Sequence, residues 1–68
     1  MNTYLVSQNL AANPSPDNAE CVNAHDAEGA AEICASVFIS RPVGSTLVLA
    51  VRDVRERIAS RVTVEFVE

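Results

Sequence analysis

The side chains of this chain that could do chemistry are one histidine and two cysteines, close together in the sequence. His25 is followed directly by Asp26, and Cys21 and Cys34 lie on either side of this pair. A histidine acts as a general base only when a second group orients its ring in a pocket. Because adjacent residues at a strand-to-helix junction usually do not face each other, we interpret Asp26 as a helix cap. We therefore predict no catalytic residue and no cofactor.

The spacing of the cysteines also argues against a metal site. Cys21 and Cys34 do not form a C-x-x-C pair, and a single histidine is too few to complete a four-ligand zinc site with them. We therefore expect no bound metal. We expect both cysteines to be small buried side chains in a reducing compartment, although the sequence leaves a disulfide between them open.

The hydrophobic pattern predicts the elements that position these residues. Alternating or continuous runs of apolar and β-branched residues predict four strands, at residues 3–7, 20–24, 45–52 and 58–67. A helical pattern covers residues 27–38, behind Asp26. Residues 53–57 are compatible with a helical turn or with a hairpin loop. The order β-β-α-β-β predicts an α+β fold in two layers, with one helix packed on a small, mainly antiparallel sheet.

The predicted helix has one apolar face made largely of small side chains. Its members recur at helical spacing and are Ala27, Ala30, Ala31, Cys34, Val37 and Phe38. Ile33 lies at the edge of this stripe. We expect the stripe, including Val37 and Phe38, to be buried against the sheet, with Glu28 and Glu32 in water. In the last strand we expect Ile58, Val62, Val64 and Phe66 to share the inward face.

Length and composition limit the function further. The chain has 68 residues, of which 49% are hydrophobic, so we expect one globular domain over residues 1–68. The net charge is −4 and lysine is absent, so we do not expect direct binding of nucleic acid. No apolar run approaches the roughly 20 residues that span a bilayer, and we expect neither a membrane segment nor a signal peptide. So small a core favours docking on a partner, and a homo-oligomer is left open.

The strand predicted at residues 45–52 is apolar on both of its faces. The two sets are Leu47, Leu49 and Val51 on one face and Val48 and Ala50 on the other. One helix covers only one face of a small sheet, so the second face needs another cover. The loop at residues 9–18 could lie there, but it is mostly polar, and we favour a second protein molecule.

Arginines cluster next to this strand. They are interleaved with Asp53 and Glu56, which would also suit a solvated hairpin tip. The exclusive use of arginine is what a GC-rich coding genome gives, and it also suits a contact surface, because arginine is enriched at protein interfaces and lysine is depleted there. We therefore predict a partner-binding surface on the sheet face away from the helix, formed by Val48, Arg52, Arg55, Arg57 and Arg61.

Two passages carry a resemblance to known proteins. The opening MNTYLV (residues 1–6) and the passage VNAHDAEGAA (residues 22–31) resemble small phage-encoded proteins that share a short strand, a V-x-A-x-D-A-x-x-A-A entry into a helix, and a following hairpin. Some of these proteins are neighbours of head genes, and others are type I anti-CRISPR proteins. The shared pattern carries no functional residue that could be transferred to this chain.

The resemblance implies a non-enzymatic phage protein that acts by protein–protein binding. The favoured interpretation is a small virion component that decorates or cements a capsid. The alternative is an inhibitor of a host defence complex, similar to an anti-CRISPR protein. The expected partner is accordingly a capsid protein or a host defence complex, and the expected location is the virion or the host cytoplasm.

Overall fold

The computed structural model describes residues 1–38 and 42–66, with the side chains of residues 1–36 and 42–66. It contains five elements in the order β-β-α-β-β, which confirms the predicted α+β fold. They are β1 (Asn2–Ser7), β2 (Glu20–Ala24), α1 (Ala27–Phe38), β3 (Thr46–Asp53) and β4 (Ser60–Glu65).

The four strands form one antiparallel sheet in the order β2-β1-β3-β4. The register places Leu5 opposite Cys21 on one side and opposite Arg52 on the other, and it places Ala50 opposite Arg61. β3 therefore lies between β1 and β4, as expected for a strand with apolar side chains on both faces. The helix packs on one face of the sheet and contacts all four strands.

The helix begins as the sequence predicts. The Asp26 carboxylate accepts a hydrogen bond from the Gly29 N–H at 2.7 Å, which satisfies one of the free amides of the first turn. Glu28 lies in the same turn, where the helix dipole favours a negative charge. A Cβ atom at position 29 would lie 3.0 Å from the capping oxygen of Asp26, so the glycine leaves room for the cap.

The core between helix and sheet combines small helical residues with larger strand residues. Ala30 and Ala31 are fully buried, and Ala35, which the sequence-based stripe omits, is also buried. Leu49 and Val6 are the largest fully buried aliphatic side chains of the sheet. Glu28 and Glu32 are exposed, as predicted. The prediction for Val37 and Phe38 lies outside the described side chains.

Two tight turns flank β3. Between α1 and β3, the Ser45 N–H donates to the Pro42 carbonyl at 3.2 Å, and Gly44 has a φ of 91°, which is the type II geometry that favours glycine. After β3, the Glu56 N–H donates to the Asp53 carbonyl at 2.8 Å. The segment at residues 53–57 is therefore the beginning of a hairpin loop, and the alternative of a helical turn is not adopted.

The last strand is shorter than predicted. Val62, Val64 and Phe66 pack against the core, as expected, but β4 begins only at Ser60. Ile58 lies before the strand and is 82% exposed, so its assignment to the inward face was wrong. Ile58 lies four residues before Val62, which fits the alternation of a strand, but it belongs to the hairpin loop and not to β4.

Leu49 provides a test of this core. Replacing a fully buried leucine by alanine leaves a cavity, so we expect Leu49→Ala to lower the free energy of unfolding by about 2–5 kcal/mol. Val48 is the matched control, since it is the neighbour of Leu49 in β3 and is 36% exposed on the opposite face of the sheet. Val48→Ala should change the same quantity much less. Denaturant unfolding followed by circular dichroism measures both, and equal losses would contradict the assignment of the two faces.

Candidate functional site

The structure does not bring the histidine and its neighbours together as a reactive pair. The carboxylate of Asp26 is engaged as the helix cap, and the His25 side chain is exposed beside it. None of the side-chain hydrogen bonds found among the described residues involves the His25 ring. Asp26 at this junction therefore serves to begin α1.

The two cysteines are separated by the sheet. Cys34 is buried on the helix, whereas Cys21 is exposed, so the expectation that both are buried was wrong for Cys21. Cys21 is paired with Leu5, which alternates with the helix-facing Tyr4 and Val6, and it therefore points away from α1. Both cysteines are free. The disulfide that the sequence left open is not formed, because the two side chains lie on opposite faces.

The environment of Cys34 makes its thiol a poor nucleophile. Burial raises the pKa of Cys34, and the negative charge of Glu20 raises it further. The thiolate, not the thiol, is the nucleophile and the metal ligand.

In residues 1–38 and 42–66, no three His, Cys, Asp or Glu side chains are close enough together to hold a metal ion. Within the same residues, no helix is long and apolar enough to cross a membrane.

The face of the sheet away from the helix is covered in part by the chain itself. Leu5 and Ala50 point to this face and are nevertheless only 2% and 4% exposed. The β1–β2 loop, residues 8–19, runs over them, and Pro14 in this loop is among the largest fully buried side chains. Over Leu5 and Ala50 the cover is therefore the loop, which was the less favoured alternative, while Val48 on the same face stays 36% exposed. The loop is mostly polar, and Pro14 is its buried apolar residue, whereas Leu10, Ala11 and Ala12 are exposed.

Arg52 fastens this loop to the sheet. Its Nε donates to the Pro14 carbonyl at 2.8 Å, and one terminal nitrogen donates to the Glu56 carbonyl at 2.8 Å. A guanidinium offers donors in a fixed fork, which suits two carbonyls that come from different loops. Arg52 thus joins the β1–β2 loop to the β3–β4 loop, residues 54–59. This internal role differs from the purely partner-directed role that the sequence predicts for Arg52.

Further hydrogen bonds hold the two loops together. The Asn13 side-chain amide donates to the Arg57 carbonyl at 2.9 Å. Within the β1–β2 loop, the Asn9 side chain accepts from the Ala11 N–H at 3.0 Å, and the Asn18 side chain accepts from the Ser15 N–H at 2.8 Å. These bonds to asparagine side chains satisfy backbone N–H groups of the loop, which has no strand partner within residues 8–19. The loops therefore present a defined surface.

Arg55 lies near the start of the β3–β4 loop, and its side chain bonds to residues of β3 and β1. It forms an ion pair with Asp53 at 2.8 Å and also donates to the Asn2 side chain at 3.1 Å. The hydrogen bonds that the Arg55 side chain donates to the Asp53 carboxylate, and a further one from the Arg55 N–H, lower the pKa of Asp53 to about 2. The Arg55 side chain is thus engaged by Asp53 of its own hairpin, which fits the alternative of a solvated hairpin tip with interleaved acidic residues.

The remaining residues of the predicted surface are Val48, Arg61 and Arg57. Val48 is 36% exposed on the sheet face away from the helix, opposite Thr63 of β4. Arg61 lies on the same face, and it donates a long hydrogen bond of 3.4 Å to the Leu10 carbonyl. Arg57 is exposed in the β3–β4 loop. Of the predicted set, Arg57 and Arg61 flank an apolar surface at the junction of the β1–β2 and β3–β4 loops.

An apolar surface lies where the two loops meet. We call it the loop patch, and its members, which are exposed or half-exposed, are Leu10, Ala11, Ala12, Ile58 and Ala59. Together with Asn13, Ala50 and Arg61 they line a shallow cleft of about 200 Å³. Leu10 is 37% and Ile58 is 82% exposed. Sequence reasoning missed this patch. The available signal was the short apolar run Leu10-Ala11-Ala12 inside a loop that is otherwise mostly polar.

Comparison with known proteins adds no relative to this description. No protein-family model, no curated protein sequence and no solved structure matches this chain.

Arg52 provides a test of the loop attachment. Arg52→Met keeps the length of the side chain but removes both hydrogen bonds, so we expect a loss of about 1–3 kcal/mol in the free energy of unfolding. Amide hydrogen exchange in residues 8–19 should also become faster. Arg57→Met is the matched control, because Asn13 bonds to the backbone carbonyl of Arg57 and not to its side chain. Unchanged exchange in Arg52→Met would show that the loop is held by other contacts.

The Asp53–Arg55 pair provides a test by pH. We expect carbon-detected NMR to give a pKa of about 2 for Asp53, and Arg55→Met to raise it toward the ordinary value of 3.8. Because the folded-state pKa is lowered, the pair contributes its stability above about pH 4 and loses it as the pH falls toward 2. Arg57→Met should leave the pKa of Asp53 unchanged. An ordinary Asp53 pKa in the unsubstituted protein would refute the pairing.

Proposed function

We propose that this chain is a non-enzymatic protein that acts by binding another protein, and that it is a small virion component that decorates or cements a phage capsid. The observation that carries the binding role is the loop patch. The phage assignment rests on the resemblance of residues 1–6 and 22–31 to small phage-encoded proteins. The partner on this proposal is a capsid protein, and the place of action is the virion.

Burial of the loop patch would supply the binding energy. Full burial of an aliphatic side chain contributes about 1.5–3 kcal/mol. Ile58 is 82% and Leu10 is 37% exposed, so much of that energy is still available for a partner. The neighbouring alanines let a partner approach closely. An apolar centre of this kind is typical of the anchor region of a protein interface.

The charges beside the loop patch indicate the chemistry of the partner. Arg57 lies next to Ile58 in the β3–β4 loop, and Arg61 lines the same cleft. A partner surface with an apolar centre and carboxylates at its rim complements this arrangement. The rim charges would direct the orientation and the rate of association more than the affinity.

The attachment of the loops favours binding as well. Arg52 and Asn13 hold the β1–β2 loop against the β3–β4 loop through three hydrogen bonds of 2.8–2.9 Å. A surface that is ordered before binding loses less conformational entropy on association. The loop patch therefore has the organisation of a preformed contact surface, on which both loops contribute an anchor side chain.

The proposal is tested with particles from a phage deleted for the gene. We expect the purified protein to rebind to such particles and to sediment with them. Ile58→Asp should reduce the bound fraction about tenfold or more, because a carboxylate would be buried at the centre of the contact. Its melting temperature should stay close to that of the unsubstituted protein, since Ile58 is exposed.

Val43→Asp is the matched control for this experiment. Val43 is 65% exposed, and it lies in the turn before β3, at the end of the hairpin away from Ile58. It should bind like the unsubstituted protein. Absence of the protein from purified virions, together with no rebinding, would refute the capsid role. Inhibition of a purified host defence complex in that case would favour the alternative. Normal rebinding by Ile58→Asp would refute the loop patch.

A further inference from the structure

Among the described residues, none bonds to the backbone groups on the outer edge of β4, and the register with β3 shows which groups these are. In the strand order β2-β1-β3-β4, β3 is the only described strand beside β4. The Phe66 N–H donates to the Ser45 carbonyl at 2.9 Å, so the backbone of Phe66 points toward β3. Because antiparallel bonding alternates along a strand, Val62 and Val64 also bond to β3. The N–H and C=O groups of the alternate residues, Arg61, Thr63 and Glu65, therefore point outward.

The sequence of this edge is complementary to itself. Around Thr63 it reads Arg61-Val62-Thr63-Val64-Glu65, with a positive charge on one side and a negative charge at the same distance on the other. We propose that β4 pairs antiparallel with β4 of a second copy of this chain, about a two-fold axis at Thr63. Arg61 then lies opposite Glu65 of the second copy, and the reverse pair forms by symmetry.

The side-chain register and the backbone register agree. The pairs Arg61–Glu65 and Thr63–Thr63 between the two copies join the residues whose N–H and C=O groups point outward, so each pair can exchange two hydrogen bonds. Val62 opposite Val64 places apolar side chains together on the helix side of the sheet. A shift by one residue would lose the bonding pattern, and a shift by two would lose the charge pairs.

The other edge of the sheet lacks this complementarity. A two-fold axis at the centre of β2 would place Glu20 opposite Ala24 and Cys21 opposite Asn23, without an ion pair. Beside β4, in contrast, a shallow cleft of about 310 Å³ between helix and strand has Val62 and Val64 in its wall. A second β4 strand would fill space along this cleft. The occupant that the edge fits is therefore a second copy.

Two features limit the affinity. The contact is one short strand, smaller than the standard protein interface of about 1,600 Å². Glu28 and Glu32 also line the cleft, so the second copy brings like charges to the same side. We therefore expect a dimer with a Kd between about 1 μM and 1 mM. It forms a continuous sheet from both copies, with both helices on one face and both β1–β2 loops on the other.

Charge exchange between Arg61 and Glu65 tests this register. Arg61→Glu alone places like charges opposite each other in both pairs, and so does Glu65→Arg alone, so each should raise the dimer Kd about tenfold or more. The double variant Arg61→Glu/Glu65→Arg should dimerise like the unsubstituted protein. An equimolar mixture of the two single variants should form the mixed dimer. Sedimentation equilibrium with one variant labelled measures all four.

A backbone variant and an exchange measurement complete the test. The Thr63 N–H points outward, so Thr63→Pro removes a donor of the dimer without removing a bond to β3, and it should give a folded monomer. In the unsubstituted protein, exchange of the Thr63 amide should slow as concentration rises. The amides of Val62 and Val64 should be protected at every concentration.

Several results would overturn the proposal. They are a monomer at about 1 mM, single charge variants that dimerise normally, and a mixture that does not associate. An Ile58→Asp variant that fails to bind particles should still dimerise, because Ile58 lies outside β4. Failure of the dimer and failure of the proposed function are therefore distinguishable.

Discussion

The central strand β3 has apolar side chains on both faces, and a single helix covers only one of them. Leu47, Leu49 and Val51 face α1, whereas Ala50 faces the other way together with Leu5 of β1. An uncovered apolar face is costly in water, and a chain of 68 residues has few elements to cover it. The β1–β2 loop meets this requirement. Arg52, which lies opposite Leu5 in the sheet, binds the loop backbone and holds it in place.

The position of this loop determines what remains exposed. Because Pro14 is buried over the sheet, the loop returns along the β3–β4 loop and brings Leu10 close to Ile58. The apolar surface available to a partner is therefore at the junction of two loops. Function on a loop surface held by a rigid sheet is common in proteins, since loops vary without disturbing the core. The free edge of β4 is a separate surface, formed by the backbone.

The helix contributes small side chains to the core, which allow a close approach of helix and sheet but fill little volume. The helix contributes Ala30, Ala31, Cys34 and Ala35 to the buried layer, so its backbone lies near the sheet. Small side chains bury little area each, and the stability of so short a chain is marginal. Polar contacts such as the Asp26 cap and the Arg52 hydrogen bonds add to this stability, by about 0.5–3 kcal/mol each. Association with a second copy or with a capsid protein would add stability by mass action.

The sequence by itself determined the type and order of the elements, the two faces of β3 and most of the buried stripe of the helix. These properties follow from signals that act over a few residues, such as the alternation in β3 and the Asp26 cap in front of an alanine-rich helix. The turn at Gly44 is of the same kind, because a positive φ favours glycine.

The tertiary structure alone decided the cover of the second sheet face, the role of Arg52, the exposure of Cys21 and the loop patch. The Arg52–Pro14 contact joins residues 38 positions apart, and no local period encodes such a pairing. The pattern also cannot tell where β4 begins, since Ile58 continues the alternation but follows the hairpin loop off the sheet. The outward direction of Arg61, Thr63 and Glu65 likewise depends on the register with β3, which is set by strands that are distant in the chain.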